Sequence, residues 1–490
     1  MKKIVTLVLL FVALCANAQV ARPKLVVGMV VDQMRWDYLY YYYNEYGDGG
    51  LRRLLREGYS CENCHINYAP SVTAIGHTSV FTGSVPSIHG IAGNYFYMDG
   101  KGTGNCYDAT VNTVGATTTG GQRSPHLMRS TTIGDELRQS TDYQSRVVGV
   151  AIKDRAAILP AGHTANAAYW WDDKAGHFVT STYYMDELPK WVADFNKKNH
   201  TKPGANLITS NEGVTMTFKM AEAALKNERL GQGSTTDMLT VSVSSTDAIG
   251  HTFSTRGKEN HDVYMQLDKE LTHFLTTLDE TVGKGNYLLF LTADHGAAHN
   301  YNQLREHKYP AGTWDYEATT KALNEYLKGK YNLTEDPVLP EDNYQFTFKT
   351  DVVANAGLRL NDVVDEAVEW LKGDNAFLYV VNNERIGCSS IPAPIKERLI
   401  NGYCRGRSGH ITVVTRPQFF GGKDDPAYKG TQHGQPFPYD THLPCIYYGW
   451  NVPHGETTAE THITDIAATV CAMLRIQMPN GCIGTPTTLK

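Results

Sequence analysis

Four short apolar runs, each ending abruptly in polar or charged residues, constrain the fold of this chain more than any other feature. Lys24-Leu-Val-Val-Gly-Met-Val-Val ends at Asp32, and Ser145-Arg-Val-Val-Gly-Val-Ala-Ile ends at Lys153-Asp154-Arg155. Met238-Leu-Thr-Val-Ser-Val ends near Asp247, and Tyr287-Leu-Leu-Phe-Leu-Thr ends at Asp294-His295-Gly296. A strand with one face in water alternates polar and apolar residues, whereas one covered on both faces reads as a continuous, β-branched run. The four runs therefore predict buried parallel strands. Between them stand helical patterns, such as Gly50-Leu-Arg-Arg-Leu-Leu-Arg-Glu-Gly and Val263 to Leu278 with Leu267, Leu271 and Leu275 at helical spacing. This alternation predicts an α/β fold with a doubly wound, mostly parallel sheet. In such sheets ligands bind at the carboxyl ends of the strands, where the charged residues fall.

The interval from about 300 to 430 is richer in turns and prolines and is read as an insertion or subdomain, with a helix near 361–372 and strands near 377–381 and 411–415. Ile446-Tyr-Tyr-Gly and the helical Ile463 to Leu474 return the chain to the main sheet. At 490 residues the length prior is about three domains, but the strand pattern argues for one large α/β domain over 19–490 carrying that insertion. Residues 1–18 read as a secretory signal peptide: Lys2 and Lys3, an apolar run from Ile4 to Ala16, then Ala16-Asn17-Ala18. Cys15 raises a lipoprotein anchor, against which the bulky Leu14 before it argues. A periplasmic or secreted location follows, and no later apolar stretch is long enough to span a bilayer.

Charge narrows the partners. The chain has 45 basic and 51 acidic residues, a net −6, and removal of residues 1–18 leaves 43 basic residues and a net −8. That balance argues against a nucleic-acid polymer as partner. Eight cysteines remain after residue 18, too few for a disulfide scaffold at this length, and their pairing is not readable.

The strand ends supply metal-binding side chains. Asp247 and His251, at i and i+4, share one face of a helical turn, and Asp294-His295 directly follow a strand. With Asp32 and one late histidine these make six N/O ligands and no thiolate. Such a set suits two divalent metals, zinc first, each held by three protein groups with a position left for substrate or water. Taken singly, Asp32 reads equally well as a cap of the helix that follows its strand, and Asp294-His295 less so. The segment from Ala69 to Ile91 adds a nucleophile candidate. Pro70-Ser71 resembles a loop before a helix, which sets Thr73 in the first helical turn, where free N–H groups and the dipole favour an oxyanion. Ser71 competes with Thr73, and His442 competes with His433 as the last ligand.

The set VVDQMRWDYL, TAIGHTSVFTGSVPSIHGIAGN, IKDRAAILPAGH, STDAIGHTF, TADHGAAH and GTQHGQPFPYDTHLP resembles the alkaline phosphatase superfamily, most closely its secreted bacterial members of the PafA type, from about residue 22 to the end. The resemblance implies the alkaline-phosphatase type of sheet. It implies that Asp247, His251 and His433 hold a first Zn2+, and Asp32, Asp294 and His295 a second. Thr73, bridging toward the second zinc as a further metal ligand, is then the nucleophile that forms a phosphothreonine. Asn94 donates its amide to a phosphoryl oxygen, and Lys153 and Arg155 form a cationic clamp. It also favours Thr73 over Ser71, through the Thr, His77, Thr82-Gly83 pattern, and His433 over His442, which is left a supporting role.

Physically, two cations can stabilise the attacking and leaving oxygens of an in-line displacement. The outward phosphoryl oxygens then need further donors. A monoester dianion is charged there and a diester is not, so the clamp points to small-molecule phosphate monoesters, with a phosphodiesterase or nucleotide pyrophosphatase as the alternative on the same frame. A sulfatase is disfavoured, because Ser84-Val-Pro86-Ser-Ile88 lacks the arginine of the formylglycine signature. Cys61-Glu-Asn-Cys64-His65 has the form of a c-type haem attachment site, which leaves a haem protein as a remote alternative.

Overall fold

The computed structural model describes residues 21–490; the segment read as a signal peptide, residues 1–18, lies outside the described residues. A ten-stranded mixed sheet organises the molecule. Six of its strands position the site: β1 (Leu25–Val31), β2 (Val147–Ala151), β3 (Ala167–Asp172), β4 (Asp237–Val243), β5 (Tyr287–Thr292) and β6 (Cys445–Gly449). They lie side by side in the order β6-β5-β1-β4-β2-β3. The first five in sequence pair in parallel, and β6 runs antiparallel to β5. Every residue of the five parallel strands is buried, which is why their sequences are continuous apolar runs.

Helices cover both faces, among them α1 (Thr73–Thr82), α2 (Asp154–Ala161), α3 (Ser245–Phe253), α4 (Lys258–Leu278) and α6 (Asp465–Leu474), while α5 (Leu360–Leu371) packs in the unit between residues 300 and 430. In α4 the leucines at 267, 271 and 275 are fully buried in the main core, each contributing about 1.5–3 kcal/mol by its burial. Helix α1 is buried along its whole length, and Gly28 is what lets it approach β1. A Cβ at that position would lie 2.6 Å from the Phe81 ring and 2.7 Å from the Phe290 ring.

Between residues 300 and 430 a second, three-stranded sheet forms from Gln345–Phe346, Ile411–Thr415 and Phe377–Asn382, with Ile411–Thr415 in the middle. It shares with α5 a core of its own around Trp314, Phe346, Val363 and Val413. This unit leans on the main domain near the strand ends. Asn343 Nδ2 donates to the Tyr95 carbonyl at 2.8 Å, and the Tyr344 ring packs on Gly434. Among the described residues no helix is long and apolar enough to cross a membrane.

Candidate metal centre and nucleophile

Four of the five parallel strands deliver side chains to a common point at their carboxyl ends: Asp32 after β1, Lys153 after β2, Asp247 and His251 on α3 after β4, and Asp294-His295 after β5. His433 comes from the loop before β6. Two clusters result, each with ligand atoms within 4.8 Å of one another: Asp32, Asp294 and His295, and Asp247, His295 and His433. His251 joins the second through Nε2, 3.1 Å from Asp247 Oδ1, while His433 Nε2 lies 3.8 Å from the same oxygen. His295 lies between the clusters, its Nε2 3.5 Å from Asp32 Oδ1 and from Asp294 Oδ2 and its ring stacked on that of His433 with centroids 3.6 Å apart.

The histidines are oriented by main chain. His251 Nδ1 bonds the Thr431 carbonyl at 2.9 Å, His433 Nδ1 the Ser71 carbonyl at 2.7 Å, and His295 Nδ1 the Gly296 carbonyl at 2.9 Å. A carbonyl only accepts, so each Nδ1 carries a proton and each Nε2 is the ring nitrogen left to face the carboxylates. That is the tautomer and setting of a metal-ligating imidazole.

The charges agree. Asp32, Asp247 and Asp294 are all buried and face one ammonium, that of Lys153, 2.7 Å from Asp32 Oδ2 and 2.6 Å from Asp247 Oδ2. Burial and the neighbouring Asp294 carboxylate push Asp32 well above the usual carboxylate range. Asp247 is held well below that range by His251 and Lys153, which outweigh its burial. Burial, reinforced by His295 and His251, drives His433 well below the usual imidazole value. Asp32 Oδ1 and Asp294 Oδ2 are buried and make no hydrogen bond. The second lies 3.1 Å from His77 Nδ1, whose proton is turned instead onto the Thr73 carbonyl at 2.9 Å. Buried carboxylate oxygens left over in this way, with imidazole nitrogens beside them, fit divalent cations.

Thr73 opens α1, and its Oγ1 lies 3.3 Å from His295 Nε2, beside the Asp32, Asp294 and His295 cluster. Ser71 is turned away, its hydroxyl donating to the Gln435 carbonyl. Asn94 Oδ1 accepts from the Ala74 amide at 2.9 Å, which ties the asparagine to the residue after Thr73 and leaves its NH2 as the group on offer. Arg155 stands on the first turn of α2, with Nε unpartnered and Nη1 3.7 Å from Asp154 Oδ1. The ambiguous His442 points elsewhere: its Nε2 bonds the Glu62 carbonyl, and its ring is stacked between Trp36 and His65. Cys61 and Cys64 are buried beside Cys445 in the sheet, and His65 bonds Asn63.

Helix α1 meets the Asp294 turn with no space between. A Cβ at Gly76 would press on the Asp294 carbonyl and Cβ, so Gly76→Ala must displace main chain. A loss of about 1–3 kcal/mol is expected, the range typical of overpacking, read as a lower urea midpoint. An unchanged midpoint would show that the contact has slack.

The roles of three residues of the site escaped the sequence reading. Gln33 donates its side-chain amide to Asp247 and its backbone amide to Asp294. His77 bridges the Thr73 carbonyl and Ser242. Asp440 accepts from the Gly434 and Gln435 amides, at 2.9 and 2.7 Å, and so holds the loop that carries His433. All three lie inside the motif strings quoted above, but their roles depend on partners distant in sequence or on main-chain groups.

Comparison with known proteins adds context. Residues 26–436 match the family model described as type I phosphodiesterase / nucleotide pyrophosphatase. The chain is 44% identical over 521 residues to alkaline phosphatase PafA of Elizabethkingia meningoseptica, covering 96% of this chain and 94% of that protein. It is 44% identical over 528 residues to a Myroides odoratus protein named calcium-transporting ATPase, covering 97% and 96%. The crystal structure of wild-type alkaline phosphatase PafA superposes with a TM-score of 0.92 at 44% identity, over 95% of this chain and 98% of that one.

Proposed function

This chain belongs to the type I phosphodiesterase / nucleotide pyrophosphatase family and, within it, to the alkaline phosphatases of the PafA kind, hydrolases of phosphate monoesters; from that premise we propose that it works with two zinc ions and a phosphothreonine intermediate on Thr73. The observation that carries the metal reading is the set of three histidines whose Nδ1 protons are all committed to carbonyls. Asp247, His251 and His433 would hold one ion, and Asp32, Asp294 and His295 the other. The donors are nitrogen and oxygen throughout, which suits zinc. When bound, the metal pair supplies positive charge to the attacking and leaving oxygens of the displacement.

The chain's own groups do the rest. Thr73 Oγ attacks phosphorus in line and displaces the ester alcohol, giving phosphothreonine. Water then displaces Thr73 Oγ and releases inorganic phosphate. Asn94, its Oδ1 already bound to the Ala74 amide, turns Nδ2 to a phosphoryl oxygen. An ammonium has three donors. Lys153 spends two of them on Asp32 and Asp247, one from each ligand set, and keeps the third for phosphate. Arg155 adds a guanidinium with free donors. A dianionic monoester uses all of these, whereas a diester, the second reading on the same metal frame, leaves one phosphoryl oxygen alkylated and uncharged.

The amino-terminal Lys2-Lys3 and the apolar run after them support export to the periplasm or beyond. The unit between residues 300 and 430 is read as an insertion, with Asn343 and Tyr344 as its contacts to the site region. Metal analysis of active protein is expected to return two equivalents of zinc, and dialysis against EDTA to abolish turnover until zinc is restored. Full activity after exhaustive EDTA treatment would overturn the metal mechanism.

A further inference from the structure

We propose that Gln33 is a positioning residue that couples the two ligand sets and raises the affinity of the Asp247, His251 and His433 set for its metal. The inference rests on the metal reading above. Gln33 is buried, and its φ of 64° lies in the left-handed region that side-chain-bearing residues seldom occupy. Such conformations persist where surrounding contacts impose them, and they gather at functional sites. Here the turn aims two donors of one residue at two carboxylates. The backbone N–H reaches Asp294 Oδ1 at 3.1 Å, and Nε2 reaches Asp247 Oδ1 at 2.6 Å.

The side-chain contact has a defined polarity, because a carboxylate only accepts and Gln33 must present its NH2. The oxygen it holds is the one that faces the imidazoles, with His251 Nε2 at 3.1 Å and His433 Nε2 at 3.8 Å. Asp247 Oδ2 is taken by Lys153. Gln33 therefore stops the carboxylate from rotating and leaves the remaining lone pair of Oδ1 aimed between the two histidines. Outer partners of this kind carry about 10–100-fold in metal affinity. Gly250, on α3, completes the arrangement, since a Cβ there would collide with Gln33 Oε1, the free end of a flexible side chain.

Two variants separate positioning from folding. Gln33→Gly keeps the left-handed backbone and the N–H to Asp294 but removes the amide. Gly250→Ala leaves Gln33 in the sequence, favours the helix, and pushes the amide off Asp247. Zinc-loaded wild-type and variant proteins would be titrated with a chromophoric chelator, with kcat measured at limiting and at saturating zinc and the melting temperature of the metal-free forms measured alongside. The expected result is two zinc-binding steps in the wild type and a 10–100-fold weakening of one of them in both variants. With it go recovery of kcat at saturating zinc and unchanged melting of the metal-free proteins. Wild-type protein that binds no zinc would remove the metal reading itself. Wild-type binding with unchanged affinity in Gln33→Gly, or loss in the variants only in step with lowered melting of the metal-free form, would overturn the role of Gln33 alone.

Discussion

Thr73→Ala is expected to lower turnover of an aryl phosphate monoester by roughly a thousandfold or more, the scale seen when a covalent nucleophile is removed while its surroundings remain. The geometry explains the size. Thr73 at the α1 amino terminus lies within hydrogen-bond reach of His295, and neither neighbouring hydroxyl can take its place. Ser71 is bonded to the Gln435 carbonyl, and Thr78 points back to the Ala74 carbonyl one turn along the helix. The six metal-ligand candidates are untouched by the substitution, so zinc content should be unchanged, which separates loss of the nucleophile from loss of the site. Acid quenching during turnover of a phosphate-labelled substrate should trap label on Thr73 in the wild type and none in the variant. Near-normal turnover, or label on another residue, would place the nucleophile elsewhere.

Arg155→Ala is expected to lower kcat/KM for the monoester by about 10²–10³-fold, the usual cost of removing one donor aimed at transition-state charge. The matched diester should lose less than about tenfold. The difference arises because the guanidinium serves an outward oxygen that is anionic in the monoester and alkylated in the diester. Its Nε is unpartnered and it makes only a loose ion pair, Nη1 to Asp154 Oδ1 at 3.7 Å, unlike Lys153, whose ammonium is already shared between two carboxylates. An equal fall for both substrates would mean that Arg155 acts through the fold, and the diester reading would gain accordingly.

Much of this arrangement is written locally in the chain. The four inner strands are legible because burial on both faces demands uninterrupted apolar residues, and the strand-end charges mark where each one stops. Asp247 and His251 are legible because one helical turn sets their spacing. His433 and His442 are not separable by such rules, being nine residues apart in one loop-rich stretch. Only the tertiary contacts divide them, one ring reaching the Ser71 carbonyl and the other stacked between Trp36 and His65. Gln33 is harder still. Its role needs a left-handed backbone and a partner 214 positions away, and nothing in the residue type advertises either. Asp440 acts on two backbone amides, groups that every sequence possesses. The short edge strands, Thr113–Val114 and Gly455–Thr457, are too brief to write a periodic signal.

The three imidazoles take their orientation from the peptide carbonyls of Ser71, Gly296 and Thr431. A carbonyl persists whatever side chain its residue carries, so this layer of the site is insulated from point mutation as a side-chain hydrogen bond would not be. Drift at these positions acts on the ligands only by moving the loops. The fragile part of the centre is therefore Asp247, which depends on the side chains of Gln33 and Lys153, whereas Asp294 is held by the backbone amides of Gln33 and His295. The site divides into a tolerant part set by main chain and a vulnerable part set by side chains, and deleterious substitutions should accumulate around the second.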